Sequence, residues 1–338
     1  MILVDALYIN EGGGEILLEY LIKELEKLNS TIFYLLDSRL SEQDYSIKNS
    51  NKVVFLQASI SNRKKFYKEN NELFNSVFCF ANIPPPIKLK CSTYTYFHQK
   101  LILEIPENYS LKSKILFFLK RQFIKSLKKN TDFWFLQTNL IGEQLIKVFR
   151  EDSSKICVLP FYVSLPKFEK EKEKYTYLYV STGYPHKNHA RLIESFCRFY
   201  DELKIGKLIL TVDPLHSEVY KLIECKINEG YPIENHGFVS SDKLALIYAK
   251  SEYLIFPSLQ ESFGLGLIEA VDFNCKILAS DLPYVYEVCE PSLVFNPLSV
   301  ESIYKTFVTS YSNKFVVNSR ILVNNSIDLI IEKINNEN

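Results

Sequence analysis

The stretch SEYLIFPSLQESFGLGLIEAVDFNCKILASDLPYVYEVCE, residues 251–290, decides how the rest of the chain is interpreted. It opens with a short apolar run, Tyr253–Phe256, whose length and composition are typical of a buried parallel strand. Pro257 ends that run, a helical pattern begins near Gly264, and a second apolar run follows at Lys276–Ala279. The pattern predicts a strand–loop–helix–strand unit, in which ligands bind just beyond the carboxyl end of the strand.

Two glutamates make this unit chemically specific. The helix that begins near Gly264 has unpaired backbone N–H groups and the positive end of its dipole, which together favour a bound phosphate. Glu261 lies in the loop before the helix, and Glu269 lies roughly 7–8 Å further along its axis. This separation suits a nucleotide, with sugar hydroxyls at one carboxylate and ribose hydroxyls at the other. Either glutamate alone is better explained as a surface residue, but the two together in this pattern favour a site.

The sequence PSLQESFGLGLIEA, residues 257–270, resembles the Glu-x7-Glu signature of the retaining GT-B glycosyltransferases of family 4. The similarity continues through ILASDLPYVYEV and LVFNPLSVESI. The resemblance implies an α/β GT-B fold, with two Rossmann-like domains facing each other across a cleft. It also implies that Glu261 contacts the donor sugar of a nucleotide-sugar substrate, with the N–H groups of Gly264 and Leu265 on the distal phosphate. The donor-binding residues implied in this segment are Ser262, Phe263, Gly264, Leu265 and Glu269, the last at the ribose.

A second candidate segment, Thr182–His189, follows a strand predicted at Tyr177–Ser181. A lysine in a strand-to-helix loop is a natural counter-charge for a diphosphate, although a solvated loop lysine has the same appearance. Pro-His-Lys-Asn-His resembles the family loop whose lysine binds the donor phosphates, so Lys187 takes a catalytic and donor-binding role by resemblance. The family often has an arginine a few residues upstream, where this chain has Ser181–Gly183. The second phosphate cation is therefore unassigned.

Three other segments contribute candidate residues by resemblance. Gly13 and Gly14 lie in a glycine run expected to form the loop after the first strand, which in the family lines the cleft opposite the donor site. His98 ends the predicted strand Thr93–Phe97 and resembles the histidine that faces the donor sugar, although a lone histidine is more often structural. HGFVSSDKL resembles the loop that closes over the base, with Phe238 as the contact; an ordinary turn is the alternative.

The length of the chain and the alternation of its predicted strands and helices predict two domains. A chain of 338 residues is long for a single hydrophobic core. The proline-containing and charged stretch Pro160–Tyr175 is the best linker candidate. We expect an acceptor domain at residues 1–162 and a nucleotide-sugar donor domain at 163–315. Residues 316–338 are expected to form a terminal helix that can return to the first domain.

The composition limits the kinds of binding partner and the cellular compartment that we expect. The 40 Lys and Arg residues are balanced by 40 Asp and Glu, which argues against nucleic-acid binding. The seven cysteines are scattered without metal-ligand spacing, and neither a signal peptide nor a membrane-spanning run is evident, so we expect a cytoplasmic protein. No Asp-x-Asp pair stands at a predicted strand end. We therefore expect no catalytic metal and no cofactor beyond the nucleotide-sugar substrate.

The segment Ser110–Asn130 is rich in lysine and arginine, contains no acidic residue and has an apolar face. A basic amphipathic helix of this kind can lie on an anionic membrane surface. A packed surface helix with a solvated basic face explains the pattern equally well. Many bacterial members of the resembled family act on lipid-linked acceptors. By that resemblance we expect a lipid-linked saccharide acceptor and peripheral attachment to the inner face of the cytoplasmic membrane.

The resemblance implies a retaining hexosyltransferase in surface polysaccharide assembly, of the O-antigen or capsule type, and the missing Asp-x-Asp pair favours a metal-independent one. A UDP-sugar is favoured over a GDP-sugar as donor. Two alternatives stay open. One is a nucleotide-sugar epimerase of the same fold, which needs no acceptor, and the other is a catalytically silent sugar-nucleotide-binding module, which the absent upstream arginine supports weakly.

Overall fold

The computed structural model describes residues 1–10, 12–106, 109–312 and 317–335. The chain forms two compact units. The first unit comprises Met1–Val163 and the terminal segment that begins at Asn324, and the second unit comprises Ser164–Val323. Each unit is built on a parallel sheet with helices, so the predicted α/β fold class is confirmed.

The first unit is built on a seven-stranded sheet in which every neighbouring pair is parallel. Its strands are β1 (Ile2–Asp5), β2 (Ile32–Asp37), β3 (Lys52–Leu56), β4 (Ser76–Cys79), β5 (Ser92–Phe97), β6 (Phe133–Leu136) and β7 (Ile156–Val158). Their order across the sheet is β3-β2-β1-β4-β5-β6-β7. The central strands are buried on both faces, which is why they appear in the sequence as short, nearly continuous apolar runs.

Helices cover both faces of this sheet. They are α1 (Gly12–Leu25), α2 (Ile60–Asn70), α3 (Lys100–Leu103), α4 (Leu111–Leu127) and α5 (Asn139–Phe149). Alternate residues of β1 point to opposite faces: Val4 joins the core beneath α1, and Leu3 joins the core beneath α2. The first unit therefore has a separate apolar core on each face of its sheet.

A buried ion pair lies at the carboxyl end of β1. The Arg63 guanidinium donates to the Asp5 carboxylate at 2.8 Å, and the Tyr67 hydroxyl donates to the same carboxylate oxygen at 2.7 Å. Arg63 also donates to the carbonyls of Ile83 and Pro84, at 2.9 and 2.8 Å. These bonds attach the proline-rich loop after β4 to the sheet, since buried carbonyl groups there need donors.

The second unit contains a six-stranded parallel sheet and a separate antiparallel pair. Its strands are β8 (Glu173–Tyr179), β9 (Lys207–Leu210), β10 (Ile233–Asn235), β11 (Ser251–Phe256), β12 (Lys276–Ser280), β13 (Cys289–Glu290), β14 (Leu293–Phe295) and β15 (Arg320–Ile321). The parallel sheet has the order β10-β9-β8-β11-β12-β14, and β13 pairs with β15. The predicted strand–loop–helix–strand unit is present, since β11 and β12 are parallel neighbours.

The remaining helices are α6 (His189–Leu203), α7 (Ser217–Asn228), α8 (Ser241–Lys250), α9 (Leu265–Asp272), α10 (Pro283–Tyr286), α11 (Val300–Ser312) and α12 (Ile327–Asn335). Aromatic rings pack α6 and α11 onto the second sheet. The Phe307 ring lies 5.4 Å from that of Phe199 and 4.7 Å from that of Tyr177. These contacts form the centre of the second unit's core.

The unit boundaries differ in detail from the expected ones. The first lies between Val163 and Ser164 rather than 162 and 163, and β8 begins inside the expected linker. The expected boundary between residues 315 and 316 lies outside the described residues. Residues 317–323 belong to the second unit, where β15 pairs with β13, and only the segment from Asn324 returns to the first unit. There Ile327, Ile330 and Ile334 of α12 join the core beneath α1.

The structure corrects the expected basic face of residues 110–130. Arg121 donates to the carbonyls of Ile102 and Leu103, at 2.6 and 2.9 Å, where α3 ends. Where α5 ends, Lys125 donates to the carbonyl of Val148. Lys128 donates there to the carbonyls of Phe149 and Arg150. These three half-buried cations therefore bind helix carboxyl ends inside the first unit and contribute less to a basic surface than the sequence suggested.

Ile330→Ala is expected to lower the free energy of unfolding by about 2–5 kcal/mol, because it removes buried methyl groups and leaves a cavity. Ile330 is 0% exposed and its neighbour Leu329 is 50% exposed on the same helix. Leu329→Ala is therefore the matched control, with an expected loss of about 0.5 kcal/mol or less. Urea unfolding followed by circular dichroism measures both losses. Equal losses would contradict the packing of α12 in the first unit.

Candidate donor-binding site

The strand order of the second sheet reverses beside β8. The chain runs from β8 outward through β9 to β10 and then returns to place β11 on the other side of β8. In open parallel sheets, the loops after two such strands diverge at their carboxyl ends and leave room for a ligand. Lys187 follows β8 and Glu261 follows β11. Two of the predicted site residues therefore lie on the two loops at this reversal.

Asn188 ties these loops together. It is buried, has a left-handed backbone with φ of 63°, and immediately precedes α6. Its side-chain amide donates to the carbonyl of Pro257 at 3.1 Å and to that of Pro297 at 2.7 Å. These carbonyls belong to the loops after β11 and β14, so one side chain links three loops at the carboxyl edge of the sheet. In the sequence, its only signal is an asparagine at a predicted helix start.

Lys187 and Glu261 form an ion pair at this edge. The lysine Nζ lies 2.6 Å from Glu261 Oε1, and both side chains are largely buried, with exposures of 17% and 11%. The backbone reinforces the contact, because the Leu259 N–H donates to the His186 carbonyl at 2.8 Å. The structure thus brings together the two residues that the sequence assigned to phosphate and sugar.

Gly264 begins α9 in a conformation that favours glycine. Its φ is 83°, and a Cβ there would lie 3.1 Å from the Leu267 side chain. Leu265 is the first residue of the helix, which places the unpaired N–H groups of the first turn directly after the Glu261 loop. Phe263 is buried and Ser262 is half-buried.

Glu269 lies on α9 in a more apolar environment than Glu261. Its side chain is buried, and the Tyr248 hydroxyl donates to its Oε2 at 2.8 Å. Burial raises the pKa of Glu269 to about 7; the Tyr248 hydrogen bond acts in the opposite direction, and Asp272 adds to the increase. The two glutamates of the motif therefore have different partners: a cation for Glu261 and a neutral hydroxyl for Glu269.

Two histidines flank Lys187 and are neutral at physiological pH. Burial lowers the pKa of His186 to about 4 and that of His189 to about 3, and the Lys187 charge contributes to both shifts. His189 lies at the start of α6, with its Nε2 3.1 Å from the Ser181 hydroxyl. In the free chain both rings are therefore uncharged beside the Lys187 cation, and the second phosphate cation stays unassigned.

His98 follows β5 in the first unit and is held by Asn82. The Asn82 side-chain oxygen accepts from the His98 backbone N–H at 2.7 Å, and the amide nitrogen lies 3.3 Å from His98 Nε2. Because the backbone N–H can only donate, this geometry assigns the ring proton to Nδ1. Burial lowers the His98 pKa to about 4, so the ring is neutral at physiological pH. Its contact with a donor sugar stays a prediction.

Gly13 and Gly14 lie in a helix, and Phe238 lies in an exposed loop. The prediction that Gly13 and Gly14 form a loop is wrong, because α1 already begins at Gly12 and both residues lie in its first turn. A first turn tolerates glycine, since its N–H groups have no partner within the helix in any case. Phe238 lies on the loop after β10 with 83% of its side chain exposed. The donor contacts of all three residues stay predictions.

Residues 1–10, 12–106, 109–312 and 317–335 contain neither a cluster of metal ligands nor a membrane-spanning helix. Within these ranges, no three His, Cys, Asp or Glu side chains form a group that could hold a metal ion. None of the helices in the same ranges combines the length and apolar character that crossing a bilayer requires.

Comparison with solved structures defines the class of fold. The chain is similar to HepE of Anabaena in complex with UDP and glucose, with a TM-score of 0.65, 12% identity and coverage of 98% of this chain and 94% of HepE. It is also similar to WaaG, a glycosyltransferase involved in lipopolysaccharide biosynthesis, with a TM-score of 0.66, 12% identity and 99% coverage of both chains. The protein therefore has the GT-B fold, as the resemblance predicted.

The match to a protein family lies in the second unit. Residues 164–305 match the family described as Glycosyl transferases group 1. The chain is 28% identical to the O-antigen chain mannosyltransferase RfbU of Salmonella typhimurium over 159 residues, which cover 46% of this chain and 44% of RfbU. The chain thus spans about half the length of the curated relatives that it matches.

Asn188→Ala is expected to lower the free energy of unfolding by about 1–3 kcal/mol more than a control, because two carbonyls lose their donor. Asn274→Ala is the control, since Asn274 is exposed and has a similar positive φ of 57°. The backbone strain of alanine is thereby matched, and the variants differ in the hydrogen bonds of the buried Asn188 side chain, which include one accepted from Arg191. Calorimetric unfolding measures both variants, and equal losses would show that the Asn188 amide does not hold the loops.

Proposed function

We propose that the protein is a retaining, metal-independent glycosyltransferase that moves a hexose from a nucleoside diphosphate sugar to a saccharide acceptor. The observation that carries the proposal is the 2.6 Å contact between Lys187 and Glu261, beside the start of α9 in a glycosyltransferase group 1 domain. A cation, a carboxylate and a helix N-terminus at one sheet edge are the groups that a nucleotide sugar needs.

The proposed chemistry is departure of a nucleoside diphosphate from the anomeric carbon. The transition state is oxocarbenium-like, so the rate depends on stabilising the charge of the leaving diphosphate. Lys187 and the N–H groups at Gly264 and Leu265 provide that stabilisation, which is why the proposal includes no divalent ion. When the diphosphate engages Lys187, the Glu261 oxygen that the lysine contacts in the free chain becomes available to accept from a sugar hydroxyl. Glu269 binds the ribose.

The donor follows from the expectation and from the names of the similar proteins. A UDP-sugar was expected from the sequence, and HepE is a structural neighbour whose complex contains UDP and glucose. The name of RfbU, a mannosyltransferase, favours GDP-mannose instead. We therefore place GDP-mannose first and UDP-hexoses second. The names of RfbU and WaaG also support a role in O-antigen or lipopolysaccharide assembly. The lipid-linked acceptor in this proposal comes from the family resemblance of the sequence.

The first half of α4 supports attachment to an anionic membrane. Exposed apolar side chains recur there on one side of the helix: Leu111, Ile115, Leu116, Phe118 and Leu119. Lys112 lies within this side, Lys120 lies at its edge one turn after Leu116, and α4 contains no acidic residue. An apolar face flanked by cations fits the boundary between lipid headgroups and acyl chains. This surface is smaller than the basic face expected from the sequence.

Glu261→Gln is expected to reduce transfer by about 100-fold or more, because a neutral amide replaces the carboxylate that is proposed to hold the donor sugar. The assay combines GDP-mannose or a UDP-hexose with lipid-linked acceptor and follows product by mass spectrometry, with the anomeric configuration determined by NMR. Glu290→Gln is the matched control, because Glu290 is also paired with a cation, Arg320, at 2.7 Å but lies on β13. Turnover by the Glu261 variant at the wild-type rate would refute the assignment.

The same assay separates the two alternatives. An altered sugar formed from donor alone would identify an epimerase. Donor binding without any product, across all acceptors tested, would identify a silent binding module.

Replacing Lys112 and Lys120 by Glu is expected to release the protein from acidic liposomes. Near an anionic surface each cation contributes on the order of 1 kcal/mol, and the contribution is screened by salt. Flotation at low and high salt measures the bound fraction. The control is the double variant Lys129→Glu and Lys147→Glu, which makes the same charge change at exposed positions of the first unit outside α4. Equal release by both variants, or no flotation of the wild type at low salt, would refute the proposed surface.

A further inference from the structure

The position of Glu269 presents a physical difficulty for the proposed function. Ribose hydroxyls are donors, so they pair best with an ionised carboxylate. The Glu269 side chain is buried, however, and burial disfavours its charged form. A nearby donor that prefers the ionised carboxylate would resolve this difficulty.

Tyr248 is such a donor. It is fully buried on α8, and its hydroxyl lies 2.8 Å from Glu269 Oε2. The ring is held in place by stacking on Phe273, with ring centroids 5.8 Å apart and an angle of 13° between the planes. One hydroxyl proton occupies one acceptor position of the carboxylate. Oε1 and the second lone pair of Oε2 are left for two further hydroxyl groups.

Gly266 provides the space for this contact. A Cβ at Gly266 would lie 3.3 Å from the Tyr248 hydroxyl and 3.4 Å from the Phe256 ring. The first distance is tighter than ordinary side-chain packing, so a larger residue would displace the hydroxyl that reaches Glu269. The second glycine of the motif therefore has a role distinct from that of Gly264, which begins the helix.

We propose that Tyr248 is a positioning residue for nucleotide binding, whose hydroxyl orients the Glu269 carboxylate and stabilises the ionised form that accepts from the ribose hydroxyls. The inference rests on the ribose-binding role of Glu269 in the proposed function. It adds a residue from α8 to a site otherwise formed by the loops after β8 and β11 and by α9.

The proposal predicts how nucleotide affinity depends on pH. The pKa of Glu269 in the free chain is about 7, and the titratable groups that act on it are Tyr248 from α8 and Asp272 from α9. A ligand that binds the ionised form loses about tenfold in affinity for each pH unit below that pKa, and its binding releases a proton. The Tyr248 bond lowers the pKa of Glu269, so removing it moves the midpoint of this dependence to higher pH.

The test is isothermal titration of the full chain with UDP and with GDP between about pH 6 and pH 9. For Tyr248→Phe we expect the nucleotide affinity at pH 7 to fall about fivefold to tenfold. The difference in affinity between wild type and variant should become smaller as the pH rises. In the transfer assay the variant should raise KM for the donor and leave kcat within about twofold, because the ribose is remote from the reacting carbon. The wild type should also discriminate against 2′-deoxy nucleotides more strongly than the variant does.

Tyr253→Phe is the matched control. The Tyr253 hydroxyl is buried and donates to the Ser310 carbonyl at 3.0 Å, so this variant also removes a hydrogen-bonded tyrosine hydroxyl from the second unit. We expect it to leave nucleotide affinity and its pH dependence unchanged.

The outcomes separate the inference from the function on which it rests. If wild-type protein binds neither UDP nor GDP, the proposed function fails, and the inference fails with it. A second outcome overturns the inference alone. In that outcome the wild type binds nucleotide and Glu269→Ala weakens binding, but Tyr248→Phe keeps the wild-type affinity and the wild-type midpoint of the pH dependence. The inference is also overturned if Tyr248→Phe only loses stability, as Tyr253→Phe does, without any shift in the pH dependence.

Discussion

The side-chain amide of Asn188 is the contact on which the candidate site depends. Loops that leave a parallel sheet at its carboxyl edge have no ladder partners there, and their buried carbonyls need donors from elsewhere. Asn188 supplies both N–H groups of its amide, to Pro257 and Pro297, and its left-handed backbone begins α6 at the same point. Asparagine suits this position because its short polar side chain tolerates a positive φ. Lys187 precedes it directly, so its backbone is fixed where it meets Glu261.

The two glutamates of the motif are constrained by different physics. Glu261 is paired with Lys187, and in the proposed function the donor diphosphate replaces it there. Glu269 has a neutral partner, Tyr248, in a buried position, and in the same proposal the ribose adds to that contact without replacing it. The proposed site thereby combines an exchangeable charge pair with a fixed acceptor, one for each end of a nucleotide sugar.

Features determined by neighbouring residues could be predicted from the sequence, and long-range pairings could not. Apolar runs gave the strands, and the spacing of Glu261, Gly264 and Glu269 placed a carboxylate on each side of a helix start. The Asn188 bonds, in contrast, join residues 69 and 109 positions apart, and the Tyr248 bond to Glu269 spans 21 positions. No local pattern encodes such pairings. The start of α1 was missed because glycine has low helix propensity, which matters little in a first turn whose N–H groups are unpaired.

The distribution of charge along α4 follows from the same need to satisfy backbone carbonyls. In a helix with many cations and no acidic residue, repulsion between neighbouring cations would destabilise the helix if all of them faced solvent. Arg121, Lys125 and Lys128 instead meet the carboxyl ends of α3 and α5, where carbonyl groups lack helical partners. The second half of α4 therefore stabilises the first unit. Its first half carries exposed apolar side chains that this packing does not use, so substitutions there can change surface binding without weakening the fold.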